Sequence, residues 1–330
     1  MSEKILITGA CGFIGSHLAE LCVKEGFNVV AFDRYNSNNH WGWLEDSNLS
    51  KDMEIILGVI RDYDSVNKAM DGCDNVFHLA ALIGIPYSYT SPLAYIRTNI
   101  EGTYNILESS KTKGLDQVII TSTSETYGSA QYTPIDEKHP LVGQSPYSAS
   151  KISADNLALA YNKSYNLPVI IIRPFNCFGP RQSLRAIIPS LINQCLNYNT
   201  VKVGDLSTIR DFTYVKDTAQ AFENCLKYSV RNFGEIINVG SGKSFKISDI
   251  LRKITKIIGK KINIKVEKKR IRPKKSEVYK LLSSTSKSKK ILRWKAYSNS
   301  MNFDQALVYT INWYIKNKNK FIEDTKNYNL

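Results

Sequence analysis

Between residues 4 and 33 the chain reads KILITGACGFIGSHLAELCVKEGFNVVAFD, and its first glycines constrain the fold more than any other feature. An apolar, strand-like run (KILITG) meets an amphipathic run (GSHLAELCVKEG) through a turn holding Gly9, Gly12 and Gly15. Without a Cβ, such a turn lets main-chain N–H groups approach a pyrophosphate at a helix N-terminus. A second apolar run, VVAFD, ends at Asp33, eighteen residues after Gly15. A carboxylate there suits the two ribose hydroxyls of NAD and repels a 2′-phosphate, so NAD is the expected cofactor. Arg34 follows directly and leaves NADP open.

The rest of the first half repeats the pattern. DNVFHLAA, the helix-like AYIRTNIEGTYNILESSKTKG, DQVIITST, a helix around 147–163 and LPVIIIRPFN alternate strand with helix. The strands are apolar on both sides, as a parallel sheet covered on both faces requires. The expected fold is α/β: a Rossmann-type doubly wound parallel sheet with a smaller α/β C-terminal substrate lobe. Residues 1–176 form the NAD-binding domain, with the chain returning to it around 205–240, and 177–330 form the second lobe. That lobe shows short strands (TVKVG, INIKV) and helices at 245–258 and 303–316. The tail NKNKFIEDTKNYNL reads as frayed or surface helix.

Composition narrows the function classes. A hydrophobic share of 43% and a charged share of 22% are ordinary for a soluble enzyme. No apolar run reaches the length of a membrane span, and no leader-like region precedes the first strand. Six scattered cysteines without a Cys/His cluster argue against zinc and for reduced thiols in a cytoplasm. The net charge of +14 is enriched late, in KKINIKVEKKRIRPKK and KSKK. Neither stretch resembles a nucleic-acid module, so no nucleic-acid or membrane partner is expected.

SPYSASK places Tyr147 and Lys151 four residues apart, on one face of a helix. A neighbouring ammonium and a nicotinamide cation both favour the phenolate, which would let Tyr147 act as a base near neutrality. Upstream, IITSTSETYG ends a strand in hydroxyls around a single carboxylate, Glu125. It is either a solvated loop charge or a base aimed at a substrate.

Together TGACGFIG, FHLAA, TNIEGTYNIL, STSETYG, YSASK, RPFNCFGPRQ, RDFTYVKD, NVGSG and RIRPKKSEV resemble the extended short-chain dehydrogenase/reductases that epimerise or dehydrate nucleotide sugars. The resemblance covers nearly the whole chain. It implies bound NAD, a nucleoside-diphosphate sugar between two lobes, and a homodimer formed through helices around 97–112 and 147–163. It assigns Gly9, Gly12, Phe13, Ile14, Gly15, Asp33, Arg34, Leu79, Ala80, Ala81, Asn99, Tyr147, Lys151 and Pro174 to the cofactor. It places Thr123 beside the sugar C4 oxygen, and Asn176, Arg185, Arg210 and Arg272 on the sugar or its diphosphate. Family members often carry an Asp that reads adenine where GVIRD has Val59, so adenine is expected to rest on backbone around Ile60.

The reaction that the resemblance implies begins with oxidation at C4 by Tyr147 and NAD. In 4,6-dehydratases a Glu then removes the C5 proton, the place Glu125 would take, with Ser124 where some relatives keep an acid. YNSNNHWGWLEDS, AALIGIPYSYTSP and RPFNCFGPRQSLRAIIPS are similar to the dehydratases of legionaminic acid biosynthesis, which act on GDP- or UDP-linked N-acetylglucosamine. A 4-epimerase is the nearest alternative and a UDP-glucuronate decarboxylase a more distant one. A dinucleotide-sensing regulator is the alternative outside enzymology, but it needs no joint Thr123, Glu125, Tyr147 and Lys151. Trp41/Trp43 and Tyr87/Tyr89 suit either packing between the lobes or stacking on the substrate.

Overall fold

The computed structural model describes residues 2–228, 232–271, 273–298 and 301–321. Strands β1 (Lys4–Thr8), β2 (Asn28–Arg34), β3 (Met53–Gly58), β4 (Asn75–His78), β5 (Gln117–Thr121) and β6 (Val169–Pro174) occupy the first half. Then come β7 (Asn176–Phe178), β8 (Thr200–Val203), β9 (Ile209–Tyr214), β10 (Ile236–Val239), β11 (Ser244–Lys246) and β12 (Asn263–Val266).

Seven strands form one parallel sheet in the order β10-β6-β5-β4-β1-β2-β3. Both faces are covered because successive residues point to opposite sides. Ile5, Ile7, Ile119 and Ile170 pack with Leu18 and Cys22 of helix Phe13–Lys24 on one face. Leu6, Val118, Ile120 and Val169 pack with Ile106, Leu107 and Ala158 on the other. The order reverses between β1 and β4, and in such sheets the ligand crevice opens beyond the strand C-termini at that reversal. The glycine turn, His78 and the end of β5 all lie there. Helix Val215–Tyr228 returns to pack on this core through Phe222, and β10 then joins the sheet beside β6.

β7, β9 and β11 form a second small sheet, and β8 pairs with β12. Helices Ile187–Asn197, Ile247–Ile258 and Phe303–Lys316 close over a separate core that includes Leu191, Ile250, Leu251 and Ile311. Two expectations change. The run 94–114 is not one α-helix, because a π-helical turn at Ile96–Glu101 interrupts it before Gly102–Lys113. Such turns frequently occur at functional sites, and this one carries Asn99. The tail expected at the surface is anchored at its start: Phe321 is buried against Trp43, Trp313 and Tyr314. Residues 322–330 lie outside the described residues.

Candidate active site

Gly9 leaves β1 with φ +72°, and a Cβ there would lie 2.9 Å from the Ala80 nitrogen. At Gly15 a Cβ would stand 2.0 Å from the Gly9 oxygen, so these two glycines answer to the protein's own packing. Gly12 differs. Among the described residues its Cβ would meet only the Gly9 oxygen, at 3.2 Å, so its open side faces the crevice. It is the N-cap of helix Phe13–Lys24, with no side-chain cap and no acid in the first turn. The first N–H groups, those of Phe13, Ile14 and Gly15, therefore have no intrahelical acceptor. An uncapped positive helix end beside an open glycine fits a pyrophosphate. Asp33 Oδ2 accepts the Cys11 N–H and Oδ1 the Arg34 N–H, both at 2.7 Å. The carboxylate thus steadies the glycine turn and keeps lone pairs for ribose hydroxyls. The Arg34 side chain is exposed.

Leu79, Ala80 and Ala81 leave β4 along the same rim. Thr8 holds them, its carbonyl accepting from Leu79 N–H at 3.1 Å and its hydroxyl from Ala80 N–H at 3.2 Å. His78 lies between the Thr8 and Thr103 hydroxyls, at 2.8 and 3.1 Å, and burial lowers it to about 3. Asn99 works through the backbone: it exchanges two hydrogen bonds with Leu82 and donates to Ser150 Oγ. The Ile60 carbonyl accepts from Asn105 at 2.9 Å, and Pro174 ends β6 in register with Val239.

The catalytic candidates converge from two elements. Helix Pro146–Tyr165 starts at a reciprocal Ser145–Ser148 capping box with Pro146 in its first turn. Tyr147 therefore sits in the first turn at the mouth of the crevice. From β5, Thr123 caps a 3₁₀ turn, Ser124–Tyr127, accepting the Glu125 N–H at 3.2 Å. The Thr123 hydroxyl also hydrogen-bonds Tyr147, and the Glu125 charge acts on that same phenol. Glu125 is half-buried and Ser124 is buried.

One electrostatic effect opposes the phenolate expected at Tyr147. Burial pushes the Tyr147 phenol up, the Thr123 bond opposes this and Glu125 adds to it. Lys151 lies one turn further along the same helix. Its ammonium donates to the Thr121 carbonyl at 2.6 Å, and burial lowers it to about 8 against the opposing pull of Asp155.

On the substrate side, Asn176 opens β7 with its Oδ1 buried and, among the described residues, without a hydrogen-bond partner. Arg210 is buried on β9, donating to the Ile209 carbonyl at 3.0 Å and pairing with Glu277 at 3.3 Å. A diphosphate there would share the guanidinium with Glu277. Arg185 is exposed, and its charge acts on the Tyr95 phenol. Arg272 lies outside the described residues. Trp43 packs between the lobes, 5.4 Å from the Trp313 ring. Tyr89 hydrogen-bonds Ser276 at 2.5 Å, while the Tyr87 ring lies tilted by 51° against Tyr95 at 6.1 Å. Sequence reading missed Tyr95, whose ring stands edge-on to Tyr147 at 6.2 Å, and the buried Asp155–Arg173 pair behind the site. No spacing marks either, since both meet the site only through tertiary packing.

Residues 6–307 match the family described as GDP-mannose 4,6 dehydratase. The chain is 30% identical over 324 residues to a trifunctional UDP-glucose 4,6-dehydratase/3,5-epimerase/reductase of Arabidopsis thaliana, covering 96% of this chain and 47% of that protein. It therefore spans about half the length of that relative. It is 32% identical to a UDP-N-acetyl-alpha-D-glucosaminuronate decarboxylase of Bacillus cytotoxicus, covering 95% and 98% of the two chains. The fold matches the crystal structure of a UDP-glucuronic acid 4-epimerase from Bacillus cereus, in complex with UDP-glucuronic acid and NAD. That match has a TM-score of 0.87 and 29% identity, over 95% of this chain and 99% of that one.

Proposed function

The chain belongs to the GDP-mannose 4,6 dehydratase family of NAD-dependent nucleotide-sugar dehydratases and epimerases, and on that premise we propose that it is a 4,6-dehydratase. Its substrate in this reading is a nucleoside-diphosphate sugar, GDP- or UDP-N-acetylglucosamine. One observation carries it: the half-buried Glu125 sits close enough to Tyr147 for its charge to act on the phenol, and the Thr123 hydroxyl bonds both that phenol and the Glu125 N–H. Epimerisation at C4 needs one proton-accepting group, whereas elimination across C5 and C6 needs a second.

Bound NAD supplies the two-electron acceptor for C4 and later returns those electrons. Gly12 and the N–H groups of Phe13, Ile14 and Gly15 hold the pyrophosphate, and Asp33 holds the ribose. Thr123 fixes the C4 oxygen while Tyr147 takes its proton, with the Lys151 ammonium held at the same helix face. The C4 ketone acidifies C5, and Glu125 removes that proton. Hydroxyl leaves C6 as water with the proton from Glu125, and as the two electrons taken from C4 come back as hydride at C6, Glu125, reprotonated from solvent, gives C5 its proton. The net change is nucleotide sugar to 4-keto-6-deoxy sugar plus water, with no net oxidation.

The test is incubation with UDP- and GDP-N-acetylglucosamine, UDP-glucose and UDP-glucuronate in deuterated water, followed by mass and NMR analysis. A 4-keto-6-deoxy product carrying deuterium at C5 supports the reading. A C4 epimer without water loss, or release of carbon dioxide, overturns it in favour of the activities named for the relatives. The same reading includes a homodimer through the helices around 97–112 and 147–163. Light scattering at the monomer mass would exclude it.

A further inference from the structure

Behind the catalytic face lies a charged network that no substrate can touch. Asp155 stands one helical turn beyond Lys151, and Arg173 lies on β6, both 1% exposed. Asp155 Oδ2 accepts three hydrogen bonds: from Ser122 Oγ at 2.7 Å, Arg173 Nη2 at 2.8 Å and Arg173 Nε at 3.1 Å. The guanidinium continues outward, Nη1 donating to the Tyr127 hydroxyl at 3.0 Å and its central carbon lying 4.9 Å from that ring's centroid. Tyr127 in turn donates to Asn238 Oδ1 at 2.7 Å.

The position of these contacts in the chain matters. Ser122 and Tyr127 bracket the segment that carries Thr123, Ser124 and Glu125. The carboxylate that grips both ends comes from the helix that carries Tyr147 and Lys151. A second tie lies alongside, from Lys151 Nζ to the Thr121 carbonyl. Stability is a weak reason for such a network, since a buried ion pair roughly breaks even against well-packed apolar residues. Registry is a better one: two elements from opposite sides of the crevice must meet within a fraction of an ångström.

We infer that Asp155 is a positioning residue that clamps the Thr123–Glu125 turn to the Tyr147–Lys151 helix, through Ser122 at one end and through Arg173 and Tyr127 at the other. The inference rests on the site reading above only in that both elements serve C4 oxidation. That step precedes dehydration, epimerisation and decarboxylation alike, so it holds whichever product forms.

Ser122→Ala removes one end of the clamp and leaves the ion pair intact. The variant is assayed with the nucleotide sugar of the above panel that wild type oxidises. Reduction of bound NAD in a single turnover is expected to fall about 10-fold or more. Hydrogen exchange should rise in the 123–127 amides but not along the helix, and NAD affinity should hold. Ser122→Thr, which restores the hydroxyl, should recover both rate and protection. Asp155→Asn is expected to lose more, and if it fails to fold the serine pair still decides. An unchanged rate and unchanged exchange in Ser122→Ala overturn the inference, as does a loss that Ser122→Thr does not repair.

Discussion

Gly12→Ala and Gly15→Ala separate packing demanded by the protein from space kept for the cofactor. At Gly15 the added methyl would lie 2.0 Å from the Gly9 oxygen, 2.8 Å from its carbon and 2.9 Å from the Ala10 Cα. All three are backbone atoms, so strand and helix must separate, at a cost of about 3 kcal/mol in stability. At Gly12 the backbone is already extended, with φ −80° and ψ −171°, which alanine adopts freely. Its Cβ would meet one atom at 3.2 Å, and that crowding roughly offsets the gain of about 0.4–1 kcal/mol from a stiffer unfolded chain. Stability should therefore move by less than about 1 kcal/mol. The methyl instead projects where the pyrophosphate meets the helix end. Weakening two hydrogen bonds to a charged group by about 1.5 kcal/mol each predicts an NAD affinity lower by on the order of 100-fold. Urea unfolding of nucleotide-stripped protein gives the first quantity and calorimetric titration with NAD the second. Wild-type NAD affinity in Gly12→Ala would refute the reasoning, as would destabilisation equal to that of Gly15→Ala.

Glu125→Gln should abolish water elimination while NAD still binds; undiminished dehydration would remove Glu125 from the mechanism. Lys151 titrates at about 8 among the Thr121 carbonyl, Tyr147, Asp155 on its own helix and neutral His78 from β4. C4 oxidation should therefore decline as pH rises through about 8, and in Lys151→Arg that descending limb should vanish whatever rate remains. A limb at the same pH in the arginine variant would assign it to another group. His78 is held neutral, its value lowered to about 3. The stability this contributes is complete above the unfolded value of about 6.5 and lost as pH falls toward 3. At pH 5 the loss is about 2 kcal/mol. The difference in unfolding free energy between pH 8 and pH 5 should shrink by that amount in His78→Gln, and equal differences would contradict the burial argument.

Much of the site was legible before folding because its chemistry is local. Gly9, Gly12 and Gly15 occupy one strand-to-helix junction, and Tyr147 and Lys151 share one helix face. Five of the sheet's seven strands, β1, β2, β4, β5 and β6, likewise carry their own signal, since burial on both faces demands apolar runs. The π-helical turn at Ile96–Glu101 was not legible, because its residues suit an α-helix and the extra residue per turn is set by what Asn99 must reach. Trp43 read equally well as a substrate platform until Trp313 and Phe321, far along the chain, supplied its partners.

Charge shows the division most sharply. Periodicity and spacing established a dinucleotide-binding parallel sheet and brought a phenol, an amine and a carboxylate to its C-terminal edge. Those properties depend on neighbours within one turn of chain. Folding added to Tyr147 a burial that works against its phenolate, and committed the Lys151 ammonium to the Thr121 carbonyl. It also joined Ser122, Asp155, Arg173 and Tyr127 into one network from three separate stretches of chain. Desolvation and long-range hydrogen bonds depend on everything packed around a group, and no local pattern of residues encodes them.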